Sequence, residues 1–255
     1  MISKNQIKFV KQLALKKYRK QEGLFVAEGP KVVGDLLDAG FRPHLLFALN
    51  EWNSRGYACQ EVNEEELQRV SFLQHPQQVL GVFELPPTPT SQDSSLFTSH
   101  SSLLNSKAIL SLALDGVQDP GNLGTIIRIA DWFGIDTIYC SEDTADAWNP
   151  KVVQATMGSI ARVNMVYTDL KELILKAKVP VYGTLLDGEN IYTSSLTANG
   201  IIVMGNEGNG ISQEIRSLIT HKLRIPQFHE GPESLNVAIA TAITCSEFKR
   251  MCIEQ

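Results

Sequence analysis

From residue 107 onward, short apolar runs of β character alternate with helical patterns. That alternation argues for α/β architecture, a mostly parallel sheet with helices on both faces. AILSLAL (108–114), TIYC (137–140), ARVNMVY (161–167), VPVYGTLL (179–186), IIVMG (201–205) and KLRIP (222–226) read as strands. TIIRIADWFG (125–134), PKVVQATMG (150–158), DLKELILKAK (169–178), SQEIRSLIT (212–220) and SLNVAIATAITCSEFKRM (234–251) read as helices. Three junctions stand out for small and polar residues: LALDGVQDPGNLGTIIRIADWFG (112–134), IIVMGNEGNGIS (201–212) and LRIPQFHEGPESLNVAIATAI (223–243). Open α/β sheets bind ligands beyond the carboxyl ends of their strands, so chemistry is expected where these loops meet.

The first 85 or so residues form a smaller α/β unit. Ser3 and Gln6 read as a capping box that starts a helix with Ile7, Val10 and Ala14 on one face. LFVAEG (24–29) is a strand, Pro30 opens a helix that Gly40 closes, and HLLFALN (44–50), EEELQRV (64–70) and VLGVFEL (79–85) are strand, helix and strand. PPTPTSQDSSLFTSHSS (86–102) is rich in Pro, Ser and Thr and nearly uncharged, and reads as a linker. The expected division is 1–90, a linker at 91–106, and a larger domain at 107–255.

With 255 residues, 43% hydrophobic and 20% charged, the composition is that of a globular protein. No apolar run reaches the ~20 residues that span a bilayer. MISKNQIKFVKQ places charges where a signal peptide needs an apolar core, so a cytoplasmic protein without membrane contact is expected. Cys59, Cys140, Cys245 and Cys252 show no metal-ligand spacing and read as reduced thiols. The net charge of −5 hides an asymmetry. Lys4, Lys8, Lys11, Lys16, Lys17, Arg19 and Lys20 crowd the first twenty residues, with no acid among them. Such a segment suits a polyanion partner, and equally a solvated helix face.

Each junction has a plain and a chemical reading. Gly205, Gly208 and Gly210 can make a simple turn or bring backbone against a ligand; their spacing is neither a dinucleotide fingerprint nor a Walker motif. Glu207 can complement the helix that follows, or bind a ligand hydroxyl or an arginine. Ser234 can cap the last helix; Asn236 is less well explained by capping. The apolar run from Val237 to Ile243 has no polar face and predicts a helix buried between the sheet and another subunit or domain. Arg128, among Ile126, Ile127, Ile129 and Ala130, predicts a partner carboxylate or phosphate.

Together, NLGTIIR (122–128), GNEGNGIS (205–212) and IPQFHEGPESLNVAIATAI (225–243) resemble, in order and spacing, the SpoU (TrmH) family of RNA ribose methyltransferases in the SPOUT superfamily. The resemblance covers about residues 107–252; the stretch between Pro226 and Glu233, with His229 and Glu230, runs about one residue longer than the usual form. KYRKQEGLFVAEGPKVVGDLL (17–37) resembles, more loosely, the L30e-like substrate-binding domain often fused in front.

The resemblance implies a deep trefoil knot, a homodimer with the motifs meeting at its interface, and S-adenosylmethionine as cofactor. The cofactor would be held by Thr184, Leu185, Gly205, Asn206, Gly210, Ile225, Pro226 and Leu235. The product would be a 2′-O-methylated ribose in rRNA or tRNA, rRNA being the expected target. Arg128 would be the central catalytic residue, oriented by Asn122, Glu207, Ser234 and Asn236. Lys4, Lys8, Lys11, Lys17, Arg19 and Glu28 would contact the RNA. A guanidinium stays protonated in proteins, so Arg128 is read as a phosphate clamp and alkoxide stabiliser rather than a literal base. Two rival readings are a non-catalytic RNA-binding protein of L30e type and a nucleotide-dependent oxidoreductase.

Overall fold

Ser3 opens the chain's first helix as its sequence asks, accepting a hydrogen bond from the Gln6 amide while the Gln6 side chain returns to the Ser3 amide. In the computed structural model, which describes residues 1–87, 110–229 and 234–253, the elements follow in chain order. They are α1 (Lys4–Gln12), α2 (Lys16–Glu22), β1 (Leu24–Glu28), α3 (Pro30–Asp38), β2 (Pro43–Ala48), β3 (Gln60–Glu61), α4 (Glu64–Val70), β4 (Val79–Glu84), β5 (Leu110–Asp115) and α5 (Pro120–Trp132). Next come β6 (Thr137–Cys140), α6 (Pro150–Ala155), a 3-10 turn (Ser159–Ala161), β7 (Asn164–Tyr167), α7 (Leu170–Lys176), β8 (Val181–Asn190), β9 (Gly200–Gly205), α8 (Gln213–Arg216), β10 (His221–Arg224) and α9 (Val237–Ile253).

The chain divides into two compact units. Met1–Pro87 joins Asp146–Arg162 in the first, and Thr88–Ala145 joins Val163–Gln255 in the second. The expected linker, 91–106, lies outside the described residues.

The first unit holds a four-stranded sheet in the order β1-β4-β2-β3, antiparallel except for β2 and β3. Val10, Leu13, Leu24, Val26, Phe47, Leu67, Leu80 and Val82 form one buried cluster. Phe25, Phe41, Phe83 and Trp148 form an aromatic one, with the Phe25 and Trp148 rings 4.6 Å apart. Residues 146–162 thus complete this unit's core. Asp146 reaches Arg19 at 2.5 Å and Arg162 reaches Asp35 at 3.1 Å. Gly158 adopts φ +95°, where a Cβ would meet the Asp35 carboxylate.

The second unit holds a six-stranded, wholly parallel sheet in the order β10-β8-β9-β5-β6-β7. The α/β expectation is met. β5, first of these strands in sequence, builds outward through β6 and β7 on one side. β9, β8 and β10 lie on the other, so the order reverses between β5 and β9. Their last residues, Asp115 and Gly205, are paired in register. A doubly wound sheet opens its ligand crevice at such a reversal.

β8 departs from a plain strand. Gly183 pairs with Lys222, yet Glu189 pairs with the next residue, Leu223, so residues 184–188 leave the sheet and return. The helix α9 is only partly covered. Val237, Ala238, Thr241, Cys245 and Phe248 are buried, but Ile239 stays 52% exposed, so the single chain covers one side only. The knot implied by the resemblance depends on the path between β10 and α9, where residues 230–233 lie outside the described residues. Cys59, Cys140 and Cys245 are free thiols, and no helix among the described residues is long and apolar enough to cross a membrane.

Candidate active site

At the β5 end the chain turns through Gly116 (φ +75°) into α5. Asp119 caps that helix, accepting from the Asn122 amide at 2.8 Å, and Pro120 fills its first position. At the β9 end Asn206 closes the glycine loop. Its backbone pairs with Gly210 in both directions, its amide oxygen accepts from the Gly208 and Asn209 amides, and its amide nitrogen donates to the Gly116 carbonyl at 2.6 Å. The two strand ends are therefore tied together. Gly205 is required by this closure, because a Cβ there would lie 2.2 Å from the Gly210 carbonyl carbon and 2.3 Å from the Ile211 nitrogen.

Glu207 sits at the centre. Its carboxylate accepts from the Gln118 amide (3.2 Å), the Asp119 amide (3.1 Å) and the Asn122 side chain (3.0 Å). It serves a helix N-terminus, but that of α5 rather than that of the helix following it. Partial burial pushes its pKa up; donation from Asn122, its own amide, Asp119 and Gln118 outweighs that and leaves it below the ordinary carboxylate value. The chain of contacts continues from Asn122, whose oxygen accepts from Asn236 at 2.9 Å. Asn236, not Ser234, caps α9: its oxygen accepts from the Ala238 and Ile239 amides. Ser234 is exposed at the start of this turn.

Arg128 does not share the buried face of its apolar neighbours. Ile126, Ile127 and Ala130 are buried, while Arg128 is exposed on the opposite side of α5. It lies six residues beyond Asn122, about 9 Å along the axis and a third of a turn round. Within one chain, Asn122, Glu207 and Asn236 form a separate network, and Ser234 stands exposed outside it.

The residues expected to hold a cofactor lie on one sheet edge, because β8, β9 and β10 are parallel neighbours. Thr184 and Leu185 occupy the excursion from β8, Gly205, Asn206 and Gly210 the loop after β9, and Ile225 and Pro226 follow β10, with Leu235 one residue before Asn236. No Lys or Arg occurs in 184–188, 205–210, 225–229 or 234–236. Such a donor set of backbone, amides and carboxylates suits a cationic ligand without phosphate. Sequence reasoning missed Gly188, whose Cβ would lie 2.5 Å from Leu223 backbone. The signal was available, since a lone glycine after a strand pattern marks a close backbone approach.

Among the residues expected to meet RNA, three are committed inside the first unit. Arg19 is 1% exposed and donates to the Leu13 and Ala14 carbonyls and to Asp146. Glu28 is buried, accepting from Ser71 Oγ and the Phe72 amide. Lys11 donates to the Ser71 carbonyl and lies over the Phe72 ring, and burial lowers its pKa. Lys4, Lys8 and Lys17 remain exposed, as do Lys16 and Lys20.

Residues 109–246 match the SpoU rRNA Methylase family, and residues 4–81 match the MRM3-like substrate binding domain. The chain is 32% identical over 251 residues to the 23S rRNA (guanosine(2553)-2′-O)-methyltransferase RlmP of Bacillus subtilis, covering 94% of this chain and 95% of that one. A solved TrmH-family protein from Porphyromonas gingivalis superposes with a TM-score of 0.84 at 40% identity, over 98% of this chain and 99% of that one. An AdoMet-bound rRNA methyltransferase from Sinorhizobium meliloti superposes at 0.83 with 32% identity, over 98% and 97%. The chain belongs to the SpoU family of RNA methyltransferases.

Proposed function

We propose that this protein transfers a methyl group from S-adenosylmethionine to a ribose 2′-OH of ribosomal RNA. The observation that carries the reading is the Glu207–Asn122–Asn236 network, which links all three motif segments at the sheet's point of reversal. The Bacillus subtilis relative, named for 2′-O-methylation of 23S rRNA, supports the substrate class. When bound, S-adenosylmethionine supplies an electrophilic methyl group. Its place is the edge formed by 184–188, 205–210, 225–226 and Leu235, where backbone can approach closely. Placement and removal of one proton are then the protein's tasks.

Arg128 binds the target phosphate and stabilises charge developing on the ribose oxygen. Its guanidinium does not act as base, since it stays protonated. Its position on the outer side of α5 supports a site completed across a homodimer interface. So does the apolar surface beside it: Trp132 is 85% exposed, and Ile239 and Leu235 on or next to the neighbouring α9 are half exposed. The exposed lysines of α1 and α2 meet the RNA backbone.

The test is transfer of labelled methyl from S-adenosylmethionine to ribosomal RNA transcripts, with the modified nucleoside identified after digestion. Label in a 2′-O-methyl nucleoside is the expected outcome; label on a base, or none with any ribosomal RNA, would refute the reading. Light scattering should give the mass of two chains, and a monomer at working concentration would remove the interface from the site.

A further inference from the structure

We propose that Asp187 is a positioning residue, which through Arg216 and Lys222 holds the Thr184–Gly188 excursion in the shape that receives the cofactor. The proposal rests on the reading above, that this excursion lines the S-adenosylmethionine site. Four observations lead to it. The excursion is five residues long and bridges two consecutive positions of β10, Lys222 and Leu223, so its ends are fixed while its middle is free of the sheet. Leu185 packs against the core of the unit, but Leu186, near the tip, is 68% exposed and anchors nothing beyond it. An open cleft of about 580 Å³, lined by Asp187, Glu189, Thr193, His221 and Lys222 among others, adjoins it, so the core does not support that side. Two cations from different elements then converge on one oxygen of Asp187: Arg216 at the end of α8, at 2.5 Å, and Lys222 on β10, at 3.3 Å. Among the described residues these are the excursion's only ion pairs.

The geometry gives Asp187 a purpose that a lone surface pair lacks. Lys222 stands at the base of the excursion, its backbone in register with Gly183. Gly188 re-enters against the Leu223 backbone, one residue from the carboxylate. The clamp therefore joins both ends of the loop to α8. Ordering this loop before binding removes an entropy cost that the cofactor would otherwise meet on arrival.

The experiment is calorimetry of the full-length protein with S-adenosylmethionine, at low and at molar salt, paired with steady-state methyl transfer. Asp187→Asn should weaken cofactor binding about three- to tenfold, as expected for two exposed pairs. It should raise KM for the cofactor and leave kcat at saturating cofactor unchanged. Arg216→Gln and Lys222→Gln should each weaken binding as well, and neither should add to Asp187→Asn in a double variant. Wild-type affinity should fall towards that of Asp187→Asn in molar salt, where the pairs are screened.

The sign of the cation variants separates a clamp from direct attraction. If Asp187 merely attracted a positive ligand, removing Arg216 or Lys222 would tighten binding, and the proposal would be overturned. Affinity of Asp187→Asn within twofold of wild type would overturn it too, while sparing the cofactor assignment. Wild-type protein that bound no S-adenosylmethionine would overturn both. Should Asp187→Asn fail to fold, the two cation variants carry the test by the same criteria.

Discussion

Two carboxylates and an arginine show how differently one chain uses charge. Glu207 is held ionised by four donors, so acid must go below the ordinary carboxylate range before its contacts to Gln118, Asp119 and Asn122 are lost. Glu28 is the opposite case. Burial raises its pKa above the ordinary 4.5, against hydrogen bonds from Ser71 and Phe72 and the charge of Lys11. Between 4.5 and the raised folded value the native state binds more protons than the unfolded one, so this group's contribution to stability falls as pH rises. Glu28→Gln keeps an acceptor for the Phe72 amide and loses the titration. Urea unfolding across the mildly acidic range should show wild type losing stability relative to Glu28→Gln as pH increases; parallel curves would mean that Glu28 ionises freely in the fold. Arg128 has no ion pair among the described residues and is exposed, so its removal should not disturb the fold. Arg128→Ala should keep cofactor affinity and lower methyl transfer about 10²- to 10³-fold, the scale for removing one transition-state donor. Arg128→Lys should recover little, because an ammonium lacks the planar fork. A near wild-type rate in Arg128→Lys would show that a point charge suffices.

At the level of elements, the site is made by strand ends, and its weak point is the loop after β9. Gly205→Ala forces a methyl into space filled by the loop's own Gly210–Ile211 backbone, so the Asn206–Gly210 pairing must open. That should cost about 1–3 kcal/mol of stability and lower cofactor affinity at least tenfold. Normal affinity, measured by calorimetry, would take the loop out of the site. The sequence disclosed much of this architecture, because the signals were local. The Ser3–Gln6 box and the alternation of strands and helices were all readable. The start of α5 was not: the expected helix begins at Thr125, whereas Asp119 caps it and Pro120 opens it five residues earlier. The exposure of Arg128 was not legible, because flanking residues say little about a helix face. At 100° per residue, Ile126, Ile127 and Ala130 share a side that excludes it. The excursion from β8 leaves no period to detect, and neither does the two-residue β3. Nor does the sequence separate residues 146–162 from the strand–helix alternation around them. Their membership of the first unit rests on the contacts of Asp146, Trp148 and Arg162, all distant in sequence from their partners.

For the whole molecule, net charge is a poor guide and the placement of charge a better one. Seven basic residues in the first twenty looked like one RNA-binding set, yet the fold sorts them by burial. Arg19 braces the turn after α1 and pairs with Asp146, so Arg19→Met should destabilise the first unit by about 3 kcal/mol, as for a broken buried pair. Lys11 is tied to Ser71 and Phe72. Lys4 and Lys8 are exposed on successive turns of α1, and Lys16, Lys17 and Lys20 are exposed on α2. Contacts with phosphate release counterions, and each one lost flattens the log–log salt dependence of RNA binding by about 0.7 for single strands. Lys4→Ala with Lys8→Ala should therefore weaken binding to RNAs of unrelated sequence alike and lower the slope by up to about 1.4. Cofactor affinity and melting temperature should not change, since neither side chain is buried and the cofactor edge belongs to the other unit. Arg19→Met is the control: it should lower the melting temperature and leave the slope of the folded protein alone, because a buried guanidinium holds no counterion to release. If Lys4 and Lys8 can be removed with RNA affinity and salt slope both intact, α1 is only a solvated helix and the phosphate contacts must be sought on α2. If Arg19→Met changes the slope while the protein remains folded, burial has not withdrawn that charge from the RNA, and sorting these residues by exposure is the wrong way to find the binding face.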